Sequence, residues 1–238
     1  MQFIHKNNLP PNNWDNWFVD GNNTRSHDFR LLPTPHQAKE FLLIEQKGLC
    51  AYCQKKIEVE NASIEHVIPY SQNMNLSTIY YNLVIVCQNF ITDSANKKHC
   101  DKARGKSLLP PIIFHKDFSF ILNDDATYTK GEYCKLFIAE EDGTLNANTI
   151  FYNDTEGSLY LQVLSFIAIL HLNHDNLKAA RVEFLKGWEM NLIGKTVKQQ
   201  KAFWSRRFAD ILGNLSHPYR QFLLIYLDKK IKQSGKIK

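Results

Sequence analysis

An α+β fold is predicted for this 238-residue chain, and three observations predict it. Four cysteines, Cys50, Cys53, Cys87 and Cys100, bracket two short β-branched runs. Further strand-like runs, separated by Asn-Asp-Asp and Asp-Gly turns, follow in the middle of the chain. After Gly157 the apolar residues fall at helical spacing. The expected architecture is a small metal-supported β core. An N-terminal arm and helix precede it; a small β segment and a C-terminal helical region follow. The divisions fall at residues 1–33 for the arm, 34–115 for the core and 116–238 for the β segment and helices, the last packed with the core and suited to docking a partner.

In chain order, residues 1–33 are rich in Asn, Pro and Trp without a clean period and read as an arm that packs through Trp14, Trp17 and Phe18. A helix is expected from Thr34, with Thr34 as cap, Pro35 in the first turn, Gln37 completing a capping box and Gly48 as the stop. Residues 62–68 and 83–87 read as strands, and 100–106 as the opening of a short helix. Strands are expected at 118–122, 133–139 and 149–152. Helices are expected at 159–172, at about 176–192 capped by Asp175, at about 195–212, and from Ser216 with Pro218 in its first turn to about 233.

Composition narrows the function classes. Hydrophobic content of 44% with 12% aromatics fits a folded protein. A net charge of +5 admits a nucleic-acid partner without requiring one. The start of the chain lacks the apolar stretch of a secretion signal, and the longest apolar run, 159–172, is interrupted by Gln162, Ser165 and His171 and too short to span a bilayer. The expectation is a soluble, cytoplasmic protein with no membrane partner. In that compartment a C-x2-C pair with two later cysteines reads as metal ligation, not disulfides. Cys134, the fifth cysteine, is expected as a small core residue in a strand.

Cys50 and Cys53 have the spacing that lets one turn present two sulfurs to one ion, and thiolates suit structural zinc. The other two ligands are separated: Cys87, then Cys100 after twelve intervening residues, with His99 as a rival for the fourth position. A second constellation is interleaved. Glu65 and Asp101 can ligate magnesium or manganese, which take oxygen donors and keep several waters. His66 titrates in the range of a general base. Adjacent strand residues point to opposite faces, so Glu65 and His66 cannot do the same job. Asn82 can hydrogen-bond the backbone across the hairpin and fix the imidazole. Arg104 and Lys106 can hold phosphate, Arg104 by its planar fork. Taken together these groups suit phosphodiester hydrolysis. His5, His27, His36, His115, His171, His174 and His217 lack such company and read as surface or core residues. Lys195, Lys198, Lys201, Arg206 and Arg207 read as a solvated face, with a phosphate-tracking or partner-docking surface as the alternatives.

In this order, Cys-x2-Cys, Glu-His-x-x-Pro, Asn-Leu, Cys and Cys-Asp-x-x-Arg-Gly resemble the HNH, or ββα-metal, endonucleases. The resemblance implies a zinc-supported ββα-metal core, with Glu65 as metal ligand, His66 as base, Asn82 as its orienter and Asp101 as second ligand, His99 remaining a rival. The string 101–106 is also similar to the corresponding helix of the HNH domain in RNA-guided nucleases, with Ala103 where an Asn is found there. The segments 45–53, 64–66, 99–105 and 170–173 are similar to the PtuB-like HNH effectors of Septu and retron-linked anti-phage systems. That likeness implies an ABC/SMC-like ATPase partner (PtuA-like), a nucleic-acid substrate, DNA by default with RNA open, and a role in bacterial defence. The alternative is a zinc-stabilised module, catalytically silent, that binds nucleic acid or a partner.

Overall fold

The computed structural model describes residues 10–19, 36–88, 98–110, 136–149 and 158–234. Its centre is a two-stranded antiparallel hairpin, β1 (Ala62–His66) and β2 (Leu83–Cys87), with Glu65 opposite Val84 and His66 opposite Leu83. The β-branched run at 84–86 puts β2 where every residue is buried. One edge of β2 pairs with β1. The other edge is met by a tight turn of chain and by a side chain: the Ala51 N–H donates to the Ile85 carbonyl at 3.0 Å, while Gln46 accepts from the Ile85 N–H at 2.8 Å and donates to its carbonyl at 2.7 Å. Gln46 thereby closes the edge as a third strand would. It carries no sequence signal beyond its position after a helix.

That helix, α1, is described over His36–Glu45 and packs on the hairpin. The expected cap at Thr34 and Pro35 lies outside the described residues. Lys47 and Gly48, at φ of 59° and 72°, reverse the chain after α1. The first cysteine pair then sits in a hairpin-like turn, closed by the Cys50 N–H on the Lys55 carbonyl at 3.0 Å and the Ile57 N–H on the Gly48 carbonyl at 2.9 Å. Preceding α1, a 3-10 turn over Trp14–Phe18 buries Trp14 and Phe18, and Trp14 packs on Phe18, Phe41 and Tyr80. The Trp14 indole N–H donates to the Thr78 carbonyl at 2.9 Å. The arm is thus fastened to the long connection between β1 and β2.

Beyond the hairpin, α2 (Asp101–Arg104) is a single helical turn. β3 (Phe137–Ala139) pairs with β4 (Leu145–Ala147) around the expected Asp142–Gly143 turn. The partner of β3 is the short run Leu145-Asn146-Ala147, which falls outside the expected strands and has Leu145 and Ala147 buried; of the strand expected at 149–152 only Thr149 is described, and it is not in a strand. The strand expected at 118–122, the first part of that at 133–139 including Cys134, and residues 150–152 lie outside the described residues. Gly143, at φ 83°, has no room for a Cβ, which would meet the Lys178 carbonyl oxygen at 2.4 Å.

Four helices complete the chain: α3 (Ser158–Ile169), α4 (Asp175–Glu189), α5 (Val197–Gly213) and α6 (Arg220–Ser234). Two expected starts shift. His174, not Asp175, caps α4, its ring nitrogen accepting from the Asn176 N–H at 3.2 Å. α6 begins at Arg220 and not at Ser216, because Tyr219 sits at φ 55° and cannot continue a helix that starts before it. α5 carries a Thr196–Gln199 capping box. Trp204 of α5 lies buried between Trp188 and Tyr226, so it belongs to the core, while Lys195, Lys198, Lys201 and Arg206 face solvent. The helices grip the cysteine turn directly. The Tyr219 and Gln221 N–H groups donate to the Gln54 carbonyl (3.0 Å) and side-chain oxygen (2.9 Å), and the Cys100 N–H donates to the Leu170 carbonyl at 2.8 Å. Asn173 pairs with the Leu145 N–H and carbonyl at 2.8 Å each, tying the turn after α3 to β4. Among the described residues no helix is long and apolar enough to cross a membrane.

Candidate active site and metal centre

Three separate pieces of chain bring four sulfurs together. The turn after α1 supplies Cys50 and Cys53, the last residue of β2 is Cys87, and Cys100 immediately precedes α2. All four are buried, and their Sγ atoms lie within 4.8 Å of one another. Cys53 and Cys87 are 3.8 Å apart, and Cys50 and Cys100 are 3.9 Å apart. A disulfide requires about 2.05 Å. Four sulfurs at about 2.3 Å from one tetrahedral ion stand about 3.8 Å apart. The donor set and its spacing therefore fit a metal ion of zinc's size and preference.

Without an ion the quartet cannot hold four negative charges. S–H donation from Cys100, Cys50 and Cys87 holds the Cys53 thiol well below its ordinary range, while burial, with Cys50, Cys53 and Cys87, pushes Cys100 well above it. Charge thus concentrates on one sulfur until a cation allows the rest to ionise. His99 lies on this side of the site, its Nδ1 3.1 Å from the Cys100 sulfur and 3.8 Å from that of Cys87, with its ring 6.0 Å from that of His174. The cleft at Glu65 and His66 is lined by neither His99 nor Asp101, and His99 lies on the side of the sulfurs.

That cleft, of about 240 Å³, is lined by Glu65, His66, Pro69, Tyr70, Ser71, Gly105 and Lys106. Glu65 is buried and His66 half-buried, and both border this cleft. His66 Nε2 lies 2.9 Å from the Ser77 carbonyl oxygen. A carbonyl only accepts, so Nε2 carries the proton and the basic lone pair resides on Nδ1. Burial lowers the imidazole's pKa below the ordinary value of 6.5, the Ser77 carbonyl opposing that shift in part. The ring is therefore neutral and basic at physiological pH.

Asn82 sits at the end of the β1–β2 connection, fully buried, and holds the loop itself. Its side-chain oxygen accepts from the Ile68 N–H at 2.7 Å, and its amide donates to the Ile68 and Leu76 carbonyls at 3.2 and 2.9 Å. Asn82 thus hydrogen-bonds the backbone of the loop, and it is the loop carbonyl at Ser77 that meets the imidazole. A backbone carbonyl leaves no trace in residue identity, so the sequence could not point to it.

Arg104 requires a correction. The guanidinium expected to fork a phosphate is turned inward, its side chain 1% exposed. Nη1 donates to Glu65 Oε1, to the Tyr52 hydroxyl at 3.0 Å and to the His66 carbonyl at 2.7 Å; Nη2 reaches the Val67 carbonyl at 2.6 Å and Nε the Ser107 carbonyl at 2.9 Å. Its donors are consumed by the protein, and Lys106 alone of the two expected phosphate ligands lines the cleft.

Asp101 completes the picture. Its side chain is 23% exposed, pairs with Lys102 Nζ at 3.4 Å and shares a hydrogen bond with the carboxyl of Glu65. Burial, reinforced by Asp101 against the pull of Arg104, raises the Glu65 carboxyl from 4.5 to about 7. Two carboxyls in contact need a proton or a cation between them. The pair fits a small oxygen-loving cation that keeps waters in its remaining positions.

Asn82→Ala is expected to destabilise the fold by about 2–4 kcal/mol, since it strands a buried N–H and two carbonyls. Urea titration of both proteins reads this directly, and an unchanged midpoint would contradict the role given to Asn82.

The comparison with curated proteins returned no match. The family model for the HNH endonuclease matches residues 50–89, a span that begins at Cys50 and contains Cys53, Glu65, His66, Asn82 and Cys87, so this stretch of the chain is similar to that family.

Proposed function

We propose that the protein is a metal-dependent HNH endonuclease that hydrolyses phosphodiester bonds, with zinc in the cysteine quartet and magnesium or manganese between Glu65 and Asp101. The observation that carries the reading is the single cleft in which Glu65, the neutral imidazole of His66 and Lys106 meet. A divalent cation held by the two carboxylates would stabilise charge on the phosphoryl and leaving oxygens. His66 Nδ1 takes the proton of the attacking water, and the Nε2–H bond to the Ser77 carbonyl holds the ring and stabilises the imidazolium that results. Lys106 holds the substrate's phosphate as a point charge. The hairpin with α2 forms the ββα-metal core within 34–115. The similarity of 45–53, 64–66, 99–105 and 170–173 to PtuB-like effectors supports a further step: the nuclease serves a two-component anti-phage system beside an ABC/SMC-like ATPase, with DNA as the first substrate.

A cleavage panel of plasmid, single-stranded DNA and transfer RNA, run with magnesium or manganese and with and without the ATPase, tests this. His66→Ala is expected to lose about 10²- to 10⁴-fold in rate while keeping its fold. Full activity in that variant would sink the mechanism, and a wild-type chain that cuts nothing under any condition would favour a silent binding module.

Elemental analysis of the purified chain should find one zinc. Cys53→Ser should lose it together with cooperative unfolding, because the ion's binding energy is part of the folding energy of the quartet. Retention of full zinc stoichiometry would contradict the thiolate site.

The acid limb of activity should depend on cation concentration. Glu65 must be ionised to bind the cation, and in the metal-free protein it is half ionised near pH 7. Manganese affinity should therefore climb as pH rises through about 7, by roughly tenfold between about pH 6 and about pH 8. At saturating cation the limb should move down towards that of His66. Calorimetric titration at the two pH values measures the first effect, and a flat affinity would refute it.

A further inference from the structure

We propose that Arg104 and Tyr52 are positioning residues that fix Glu65 as a one-oxygen ligand, so that the site takes small octahedral cations in preference to calcium. The inference rests on the reading of Glu65 and Asp101 as the cation's ligands. It starts from an asymmetry in the bonding of Glu65. Oε1 accepts from Arg104 Nη1 and lies 3.4 Å from the Tyr52 hydroxyl, which donates to it. The Arg104 and Tyr52 bonds thus fall on the same oxygen, while Asp101 shares a further hydrogen bond with the carboxyl.

The clamp is rigid. Arg104 is also pinned by the His66 and Val67 carbonyls and by that of Ser107, so the guanidinium cannot follow Oε1 if the carboxylate turns. Tyr52 is fully buried between Cys50 and Cys53, with its ring edge-on to Phe166 at 6.5 Å. Its hydroxyl is thereby held by the metal-binding turn itself. The pair of side chains is nearly dry, 1% exposed for Arg104 and 12% for Glu65, so the bond is not exchanged with water at small cost.

Cation selectivity follows from coordination chemistry. Magnesium and manganese accept a carboxylate through one oxygen in a compact octahedron, whereas calcium takes six to eight ligands and often both oxygens of one carboxylate. Two-oxygen binding by Glu65 would require breaking the charged bond to Arg104. One-oxygen binding through Oε2 leaves it intact. The sequence hid this role because arginine after an Asp-x-x spacing reads as a phosphate ligand.

The test titrates the zinc-loaded protein with manganese and, separately, with calcium by calorimetry, in wild type, Tyr52→Phe, Arg104→Lys and Glu65→Gln. Arg104→Lys keeps the positive charge but cannot span the same acceptors; Tyr52→Phe keeps the ring and removes only the hydroxyl. The ratio of manganese to calcium affinity is expected to fall by about tenfold in Arg104→Lys, and in the same direction by less in Tyr52→Phe. Zinc content is measured alongside, so that a variant which fails to fold is recognised; Tyr52→Phe then carries the test. An unchanged ratio in folded variants overturns the inference while leaving Glu65 as a ligand. Wild type and Glu65→Gln binding manganese alike would instead overturn the ligand assignment, and the inference with it.

Discussion

Four sulfurs drawn from a turn, a strand end and the residue before a helix lie within one coordination sphere, and the positions of the remaining site groups are set relative to them. The hairpin alone is a marginal structure, two strands of five residues each. What makes it a scaffold is that β2 ends on Cys87, that the Cys50–Cys53 turn borders its outer edge through Ala51 and Gln46, and that Cys100 delivers α2 back across the strand pair. Cys100 is placed at φ 58°, an uncommon conformation for a residue with a side chain, and its N–H is held by Leu170 of the helical region. The quartet thus joins the hairpin, the short helix and the C-terminal helices at one point. An ion there would convert four mutually unfavourable thiols into the strongest cross-link of the fold.

The site chemistry is then a matter of which way three adjacent residues face. Cys100 turns its sulfur to the quartet, His99 lies against the same sulfurs, and Asp101 meets Glu65 on the other side. A single turn of helix separates Asp101 from Arg104, so the same turn delivers a carboxyl beside Glu65 and a cation behind it. Glu65 is held between a like charge and an opposite one in a place that solvates neither well. Its carboxyl accordingly sits near neutrality, ready to exchange a proton for a cation.

Much of this was legible in the residues. The β-branched run at 84–86 and the knuckle spacing of Cys50 and Cys53 each correspond to a local physical rule, and each has its counterpart in the fold. What escaped has a common cause. Arg104 was aimed at phosphate because a side chain's direction on a four-residue helix depends on what stands behind it, here Tyr52 and Glu65, which are 52 and 39 residues away in sequence. Ser77 acts through its carbonyl and Gln46 through an edge-closing amide, neither of which has a compositional signature. β4 was missed because three residues with two apolar members make too short a run to show a period.

The long connection between β1 and β2 shows how distant parts of the chain bear on His66. It runs from Val67 through Asn82, and its two ends are bridged by the Asn82 side chain to Ile68. Its middle carries Ser77, which holds His66, and next to it Thr78, which is held by Trp14. Tyr80 adds a bond to Glu45 of α1 and packs edge-on to Trp14 at 5.1 Å. The imidazole's orientation therefore depends on a loop braced from outside by the N-terminal aromatic turn and from inside by one asparagine. A loop carbonyl holds the imidazole only if it does not move, because a shift of about 1 Å would break a 2.9 Å bond and release the ring to other rotamers. The turn at Trp14–Phe18, expected to pack through its aromatic residues, thus braces the loop that holds His66.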